Sequence, residues 1–299
     1  EQFAARLTYE YATRLPQTDE LFGDGQFIQG NLNLKPERSH NINFELFFKS
    51  KENYEKKHLK NALFVDINTQ LANIKENLAE GGRHPLPEVK DFAKVLGQLG
   101  ISPTTHVVVY DDKNGANAAA RFWWMLKAIN HENVQVLDGG LTNAERNNFP
   151  IDNEFVEVKS VAEYPIEKWN LPQILIDKIE EIKDNKDYKI IDVREESRYN
   201  GISEPIDLIA GHIPNAINIP FTNNLDANGL FLEKEKLQQV YKDVLDNFKS
   251  ENIIVHCGSG VTACHTILAM HYAGYNFPNL YVGSWSEWSR NNKEMVLKH

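Results

Sequence analysis

Cysteine is almost missing from this chain: Cys257 and Cys264 are the only two in 299 residues. Two are too few for a disulfide framework, and their spacing is wrong for a C-x-x-C redox pair or a zinc knuckle. Clustered basic charge is missing as well. Against 32 Lys and Arg stand 42 Asp and Glu, for a formal charge of -10, which argues against a nucleic-acid partner because phosphate binding needs concentrated cations. No run reaches the roughly 18 consecutive apolar residues of a membrane helix. The first residues, Glu1-Gln2-Phe3, show no basic-then-apolar signal pattern. We therefore expect a reducing, cytoplasmic setting, no membrane partner, no metal and no cofactor. The remainder, 41% apolar and 25% charged, suits a soluble globular protein long enough for two domains.

The chain changes character near Lys49. Before it, aromatic residues, Asn and turn formers dominate, and Asn41-Ile42-Asn43-Phe44-Glu45-Leu46-Phe47-Phe48 alternates polar and apolar as a half-buried or barrel strand does. After it, short β-branched runs at 106–110, 134–137, 189–193 and 253–255 read as buried parallel strands. Between them, 89–99, 118–128, 237–248 and 262–273 carry apolar residues at helical spacing. Such alternation implies right-handed βαβ units, an α/β fold with helices on both faces of mostly parallel sheets.

Two stretches repeat one another in register. His58-Leu59-Lys60-Asn61-Ala62-Leu63-Phe64-Val65 matches His212-Ile213-Pro214-Asn215-Ala216-Ile217-Asn218-Ile219, and Val107-Val108-Val109-Tyr110-Asp111 matches Ile253-Ile254-Val255-His256-Cys257. A duplicated α/β unit accounts for both, with Asp111 standing in one copy where Cys257 stands in the other. The expected division is a foreign segment at 1–48, an inactive domain at 49–150, a linker at 151–171 and a catalytic domain at 172–299.

Cys257 follows an apolar strand and precedes a helix, inside Cys257-Gly258-Ser259-Gly260-Val261-Thr262. Glycines permit the sharp turn, whose inward N–H groups and following helix end make a cradle for an anion such as a thiolate. The plainer alternative is a small buried hydrophobe at a strand end, which is the reading we give Cys264. Two chemistries use such a loop. A tyrosine phosphatase needs an arginine six positions after the cysteine to clamp a phosphate dianion, and position 263 is Ala. A sulfurtransferase needs only to hold a persulfide monoanion.

With that loop, the segments Gly211-His212-Ile213-Pro214-Asn215-Ala216, Gly283-Ser284-Trp285-Ser286-Glu287-Trp288 and Gly82-Arg83-His84-Pro85-Leu86-Pro87, and the stretch 114–126, the chain from Lys51 onward resembles the two-domain rhodanese family, in particular its 3-mercaptopyruvate sulfurtransferases. The resemblance implies two tandem rhodanese-like domains, each a mostly parallel five-stranded sheet between helices, and sulfur transfer from 3-mercaptopyruvate through a Cys257 persulfide. Its implied partners are a small-molecule sulfur donor and an acceptor such as thioredoxin, a low-molecular-weight thiol or cyanide. Thiosulfate-preferring relatives carry two cations in the loop, where this chain has the neutral pair Gly258-Ser259. Thiosulfate transfer and a non-catalytic binding module are the alternatives.

The family's proposed Ser-His-Asp relay falls on Ser259 and His84. Its acidic position matches Asn68, which leaves Asp66, two residues earlier, as the candidate. His84 could equally be an interdomain packing residue. For donor binding the resemblance implies Arg198 with the loop residues Gly258, Gly260, Val261 and Thr262. A second family arginine is absent from Glu204-Pro205-Ile206-Asp207, so either Arg198 suffices, with Arg121 from the other domain as helper, or the donor differs from mercaptopyruvate. Arg198 could instead simply pair with Glu204. Trp123 and Trp124 read as core, and 283–288 as a packing wall of the site.

Residues 1–48 stand outside that resemblance. Leu21-Phe22-Gly23-Asp24-Gly25 and the stretch 31–41 resemble a barrel segment of a TonB-dependent outer-membrane receptor, and one such fragment cannot close a barrel. We expect 42–48 to serve as a substitute first strand and residues 1 to about 40 to pack poorly.

Overall fold

The computed structural model describes residues 3–14, 37–48, 51–245 and 247–297. Two long strands, β1 (Phe3–Arg14) and β2 (Glu37–Phe48), pair antiparallel from Phe3 opposite Phe48 to Arg14 opposite Glu37. The expected strand at 42–48 is thus the end of a longer one, and it runs beside β4 (Val107–Val109). The receptor-like motif at 21–25, and 31–36 of the second, lie outside the described residues.

The first α/β half contains α1 (Lys51–Lys56), β3 (His58–Leu59), α2 (Val89–Gln98), β4, α3 (Ala118–Ala128), β5 (Val134–Val136), α4 (Gly140–Arg146) and β6 (Ile151–Asp152). Here the described strands pair two by two, β4 parallel with β5 and β3 antiparallel with β6. A continuous five-stranded ladder is confined to the second half. The physical reason lies in 60–88, a stretch rich in Asn, Gly and Pro that folds into turns and bends rather than extended chain. From 153 to 171 the chain is irregular but tied down, Val161 N–H donating to Gly97 C=O at 2.9 Å and Asn170 N–H to Ala128 C=O at 2.6 Å.

The second half contains β7 (Gln173–Ile174), α5 (Ile176–Ile182), β8 (Lys189–Asp192), α6 (Glu196–Tyr199), β9 (Ile217–Asn218), α7 (Lys234–Leu245), β10 (Ile253–His256), α8 (Ala263–Tyr272), β11 (Asn279–Tyr281) and α9 (Ser284–Trp288). Its sheet is parallel throughout, in the order β7-β11-β10-β8-β9. All four residues of β10 are buried, as a central strand covered on both faces requires. The helices α3 and α8, each following an equivalent strand, lie against one another and are buried over nearly their whole circumference. One core therefore runs through both halves, and Phe122, Trp123 and Trp124 belong to it. Burying each such aromatic contributes about 2–3 kcal/mol.

Candidate active site between the two halves

The β10 strand ends at His256 and delivers Cys257, 3% exposed, into the turn before α8. Gly260 sits at φ +72°, and a Cβ there would lie 2.3 Å from the Val282 carbonyl oxygen. Only glycine fits. The turn is held from outside by the first residues of α9. Cys257 N–H donates to Ser284 Oγ at 3.1 Å, while Trp285 N–H and Ser286 N–H donate to the carbonyls of Cys257 and Gly258 at 3.0 and 2.8 Å. The 283–288 segment thus does more than pack. Because its contacts fix the loop's carbonyls outward, the N–H groups of 258–262 are left with no acceptor among the described residues.

The duplicated copy shows what such a turn holds. Asp111, fully buried at the position equivalent to Cys257, accepts from the N–H groups of Lys113 (2.9 Å), Gly115 (2.8 Å), Asn117 (3.1 Å) and Ala119 (3.2 Å). The first half fills its cradle with its own carboxylate. Burial pushes the Asp111 carboxyl up, against the pull of those four amides.

A cavity of about 560 Å³ opens over Cys257 and is walled by both halves, with Arg83, His84, Lys113 and Asn117 from one and Arg198, Gly258, Ser259, Val261 and Thr262 from the other. Gly260 lies beneath this wall rather than in it. His84 reaches across and bonds Ser259 Oγ through Nδ1 at 2.9 Å. The crossing is fixed by the turn at 81–84, where Gly81 N–H donates to Glu287 Oε1 at 2.8 Å and Arg83 N–H to Ser286 Oγ at 3.0 Å. At Gly82, φ +77°, any Cβ would strike the Gly283 carbonyl oxygen at 2.3 Å.

Asp66 is not the third member of the relay. Its Oδ1 accepts from Asn68 N–H at 2.7 Å and Thr69 N–H at 3.3 Å, closing a local turn. That turn aims Asn68 at His84, and His84 Nε2 donates to Asn68 Oδ1 at 3.1 Å. The amide sets the tautomer, with Nδ1 bare to accept from the Ser259 hydroxyl, yet it brings no charge to stabilise an imidazolium. Burial, with Arg83 and Arg121 nearby, pulls His84 down to about 3. The ring is neutral at physiological pH.

Arg121 is also placed differently from expectation. Fully buried behind the loop, it gives Nη1 to Gly260 C=O at 3.3 Å and Nη2 to His84 C=O at 3.1 Å. It braces the two halves of the site and does not line the cavity. Cys264 sits against it, with Sγ donating to Gly260 C=O at 3.3 Å; burial pushes this thiol up to about 12. It is an inert core group.

Arg198 does line the cavity, and it also makes the Glu204 ion pair, at 2.8 Å. Burial acts to lower Arg198, but Glu204, Glu195 and Asp207 together hold it above its ordinary range. Asn68, Ser284, Ser286, Arg83 and Asp207 escaped the sequence reading. Asn68 carried a signal there as the residue standing at the acidic position, and Arg83, Ser284 and Ser286 lay inside segments that carried the resemblance. Among the described residues, no group of three or more His, Cys, Asp and Glu is arranged to hold a metal, and no helix is long and apolar enough to cross a membrane.

The model of the rhodanese-like domain matches this chain twice, at residues 48–147 and 175–291. The chain belongs to the rhodanese-like family. A probable 3-mercaptopyruvate sulfurtransferase of Pseudomonas aeruginosa is 36% identical over 249 residues, 81% of this chain and 85% of the relative. The thiosulfate sulfurtransferase of Rattus norvegicus is 34% identical over 248 residues, 81% of this chain and 80% of the relative. Among solved structures, a 3-mercaptopyruvate sulfotransferase from Escherichia coli superposes with a TM-score of 0.64 at 29% identity, covering 80% of this chain and 87% of the other. The tandem rhodanese-like α/β fold read from the sequence is thereby borne out. The first match begins at residue 48, so nothing in these likenesses supports a receptor-like origin for 1–47, which rests on sequence motifs alone.

Proposed function

We propose that the chain is a sulfurtransferase that takes sulfur from 3-mercaptopyruvate onto Cys257 and passes it to a thiol acceptor. The observation that carries this is Cys257 at the floor of a cavity shared by both halves, in a turn whose N–H groups at 258–262 have no acceptor among the described residues and whose equivalent in the other half holds a carboxylate. The Cys257 thiolate attacks the donor's sulfur. The C–S bond breaks, its electron pair leaves with carbon as the enolate of pyruvate, and the donor's thiol proton supplies the proton that the enolate takes up. Cys257 is left as a persulfide anion, its charge spread over the amides of 258–262. A thiol acceptor, such as thioredoxin or a low-molecular-weight thiol, or cyanide, then attacks the outer sulfur and restores the Cys257 thiolate.

Ser259 donates its hydroxyl to the bare Nδ1 of neutral His84, itself oriented by Asn68, which leaves the serine oxygen's lone pairs to accept the donor's thiol proton on its way to the enolate. The domain roles follow: 49–150 supplies His84 and Asn68 but no nucleophile, 151–171 links, and 172–299 carries Cys257. Cytoplasmic residence agrees with a reduced Cys257 and Cys264. Thiosulfate is the second donor reading, favoured by the guanidinium groups of Arg83 and Arg198 beside Gly258. Steady-state pyruvate release from mercaptopyruvate, compared with sulfite release from thiosulfate, tests the assignment. A higher kcat/KM for mercaptopyruvate is expected; preference for thiosulfate would overturn the donor, and no turnover of either the function.

A further inference from the structure

We propose that Asp207 is a specificity-determining residue, an internal carboxylate that competes with the anionic group of the sulfur donor for the arginines over Cys257. The side chain of Asp207 is fully buried. Its Oδ1 accepts from Arg83 Nε at 3.0 Å and Arg290 Nη1 at 3.1 Å, and its Oδ2 from Arg198 Nη2 at 3.2 Å and Arg83 Nη2 at 3.4 Å. These groups stand directly above the residue that follows the nucleophile. A Cβ on Gly258 would lie 2.8 Å from Arg83 Nη2, 3.2 Å from Arg198 Nη2 and 3.4 Å from Asp207 Oδ2. Glu204 takes the remaining edge of Arg198, with Nε at 2.9 and 3.0 Å from its carboxylate oxygens. Both guanidinium groups that line the cavity are therefore already paired with acids of this chain. Lys113, exposed in the same cavity wall, has no ion pair among the described residues.

A donor carboxylate has the shape and charge of the Asp207 side chain, so it can exchange with it one for one at the guanidinium forks. A dianion would bring one more negative charge than the Asp207 carboxylate it displaces, to a place where Glu204 stays on Arg198. The segment that carries Asp207 buries little apolar surface, its side chains Ile202, Ile206 and Leu208 being 59%, 55% and 68% exposed, so its displacement exposes little more. The exchange favours a monoanionic donor and keeps the cations masked until one arrives.

This inference rests on the sulfurtransferase reading, and the experiment separates the two. Wild type, Asp207→Asn and Asp207→Ser are compared for kcat and KM with mercaptopyruvate and with thiosulfate. Removing the competitor is expected to lower KM for mercaptopyruvate by about tenfold, the worth of one charge-assisted hydrogen bond. The fall for thiosulfate is larger, and kcat moves little. Unchanged or higher KM values would make Asp207 a strut for the arginines and overturn the proposal. If both variants fail to fold, hydrogen exchange on the wild type decides: saturating pyruvate should speed exchange at 202–208, and unchanged or slower exchange contradicts displacement. Should the wild type itself turn over neither donor, the sulfurtransferase reading fails, and the same exchange measurement still judges Asp207.

Discussion

Asn68→Asp would put a carboxylate where an amide now meets His84 Nε2 at 3.1 Å. In the native protein burial, Arg83 and Arg121 bring His84 from 6.5 to about 3. A carboxylate and an imidazolium with charge centres about 4 Å apart attract by about 4 kcal/mol at an effective dielectric constant of 20. That favours the protonated ring by roughly a thousandfold. The sign follows from linkage. An unfolded histidine takes its proton near 6.5 while the native ring stays neutral until about 3, so His84 makes the native state lose stability as pH falls through that window. Asn68→Asp narrows the window, so the variant should resist acid better than the wild type. It should also lose persulfide-forming activity on the acid side at a higher pH, because a protonated His84 no longer accepts from Ser259. NMR titration of the His84 ring, denaturant melts at pH 4 and 7, and the pH profile of pyruvate release measure these effects. A wild-type ring titrating near 6.5, or one that Asn68→Asp leaves unmoved, would refute the assigned contacts.

The other perturbations separate reacting from supporting groups. Ser259→Ala removes the hydroxyl that His84 orients, and kcat should fall by about 100-fold with the fold intact; a rate within twofold of wild type would exclude Ser259 from proton handling. Arg121→Met strands the carbonyl of His84, at about 1–3 kcal/mol, and leaves Gly260 C=O only the weak Cys264 Sγ–H donor. Denaturant unfolding should show that loss, whereas a raised KM at unchanged stability would return Arg121 to the donor site. Gly260→Ala forces a side chain onto a φ of +72° and into the Val282 carbonyl. It should lower the stability by about 2 kcal/mol or more, and a thermal midpoint equal to wild type would show that the loop can re-form around it.

Cys257 is legible from a local pattern, a strand that runs into a glycine turn, whereas Ser259 and His84 enter only through the family resemblance, and their bond at 2.9 Å joins positions 175 apart. What stayed hidden depends on which of two near neighbours faces inward. Asp66 and Asn68 are two residues apart, and only the capture of Asp66 by backbone N–H groups decides that Asn68 meets His84. The Arg83–Asp207 pair spans 124 positions, beyond any periodicity. Arg121 was visible as a cation near the interface, but helix spacing does not reveal which side of the loop its guanidinium reaches. The helices at 89–98, 118–128 and 263–272 were predicted to within a residue by apolar spacing. In the first half, by contrast, the five-stranded sheet that the resemblance implies gives way, among the described residues, to separate strand pairs, β1 with β2 one of them.

The central claim is that Cys257 carries the transferred sulfur. Intact-protein mass spectrometry after incubation with mercaptopyruvate and removal of the donor tests it most directly, followed by peptide mapping and repeated on Cys257→Ser. The account predicts a gain of one sulfur atom, located on the peptide that contains Cys257, reversed by a thiol and absent from Cys257→Ser. No gain, or a gain that persists in Cys257→Ser, would contradict it.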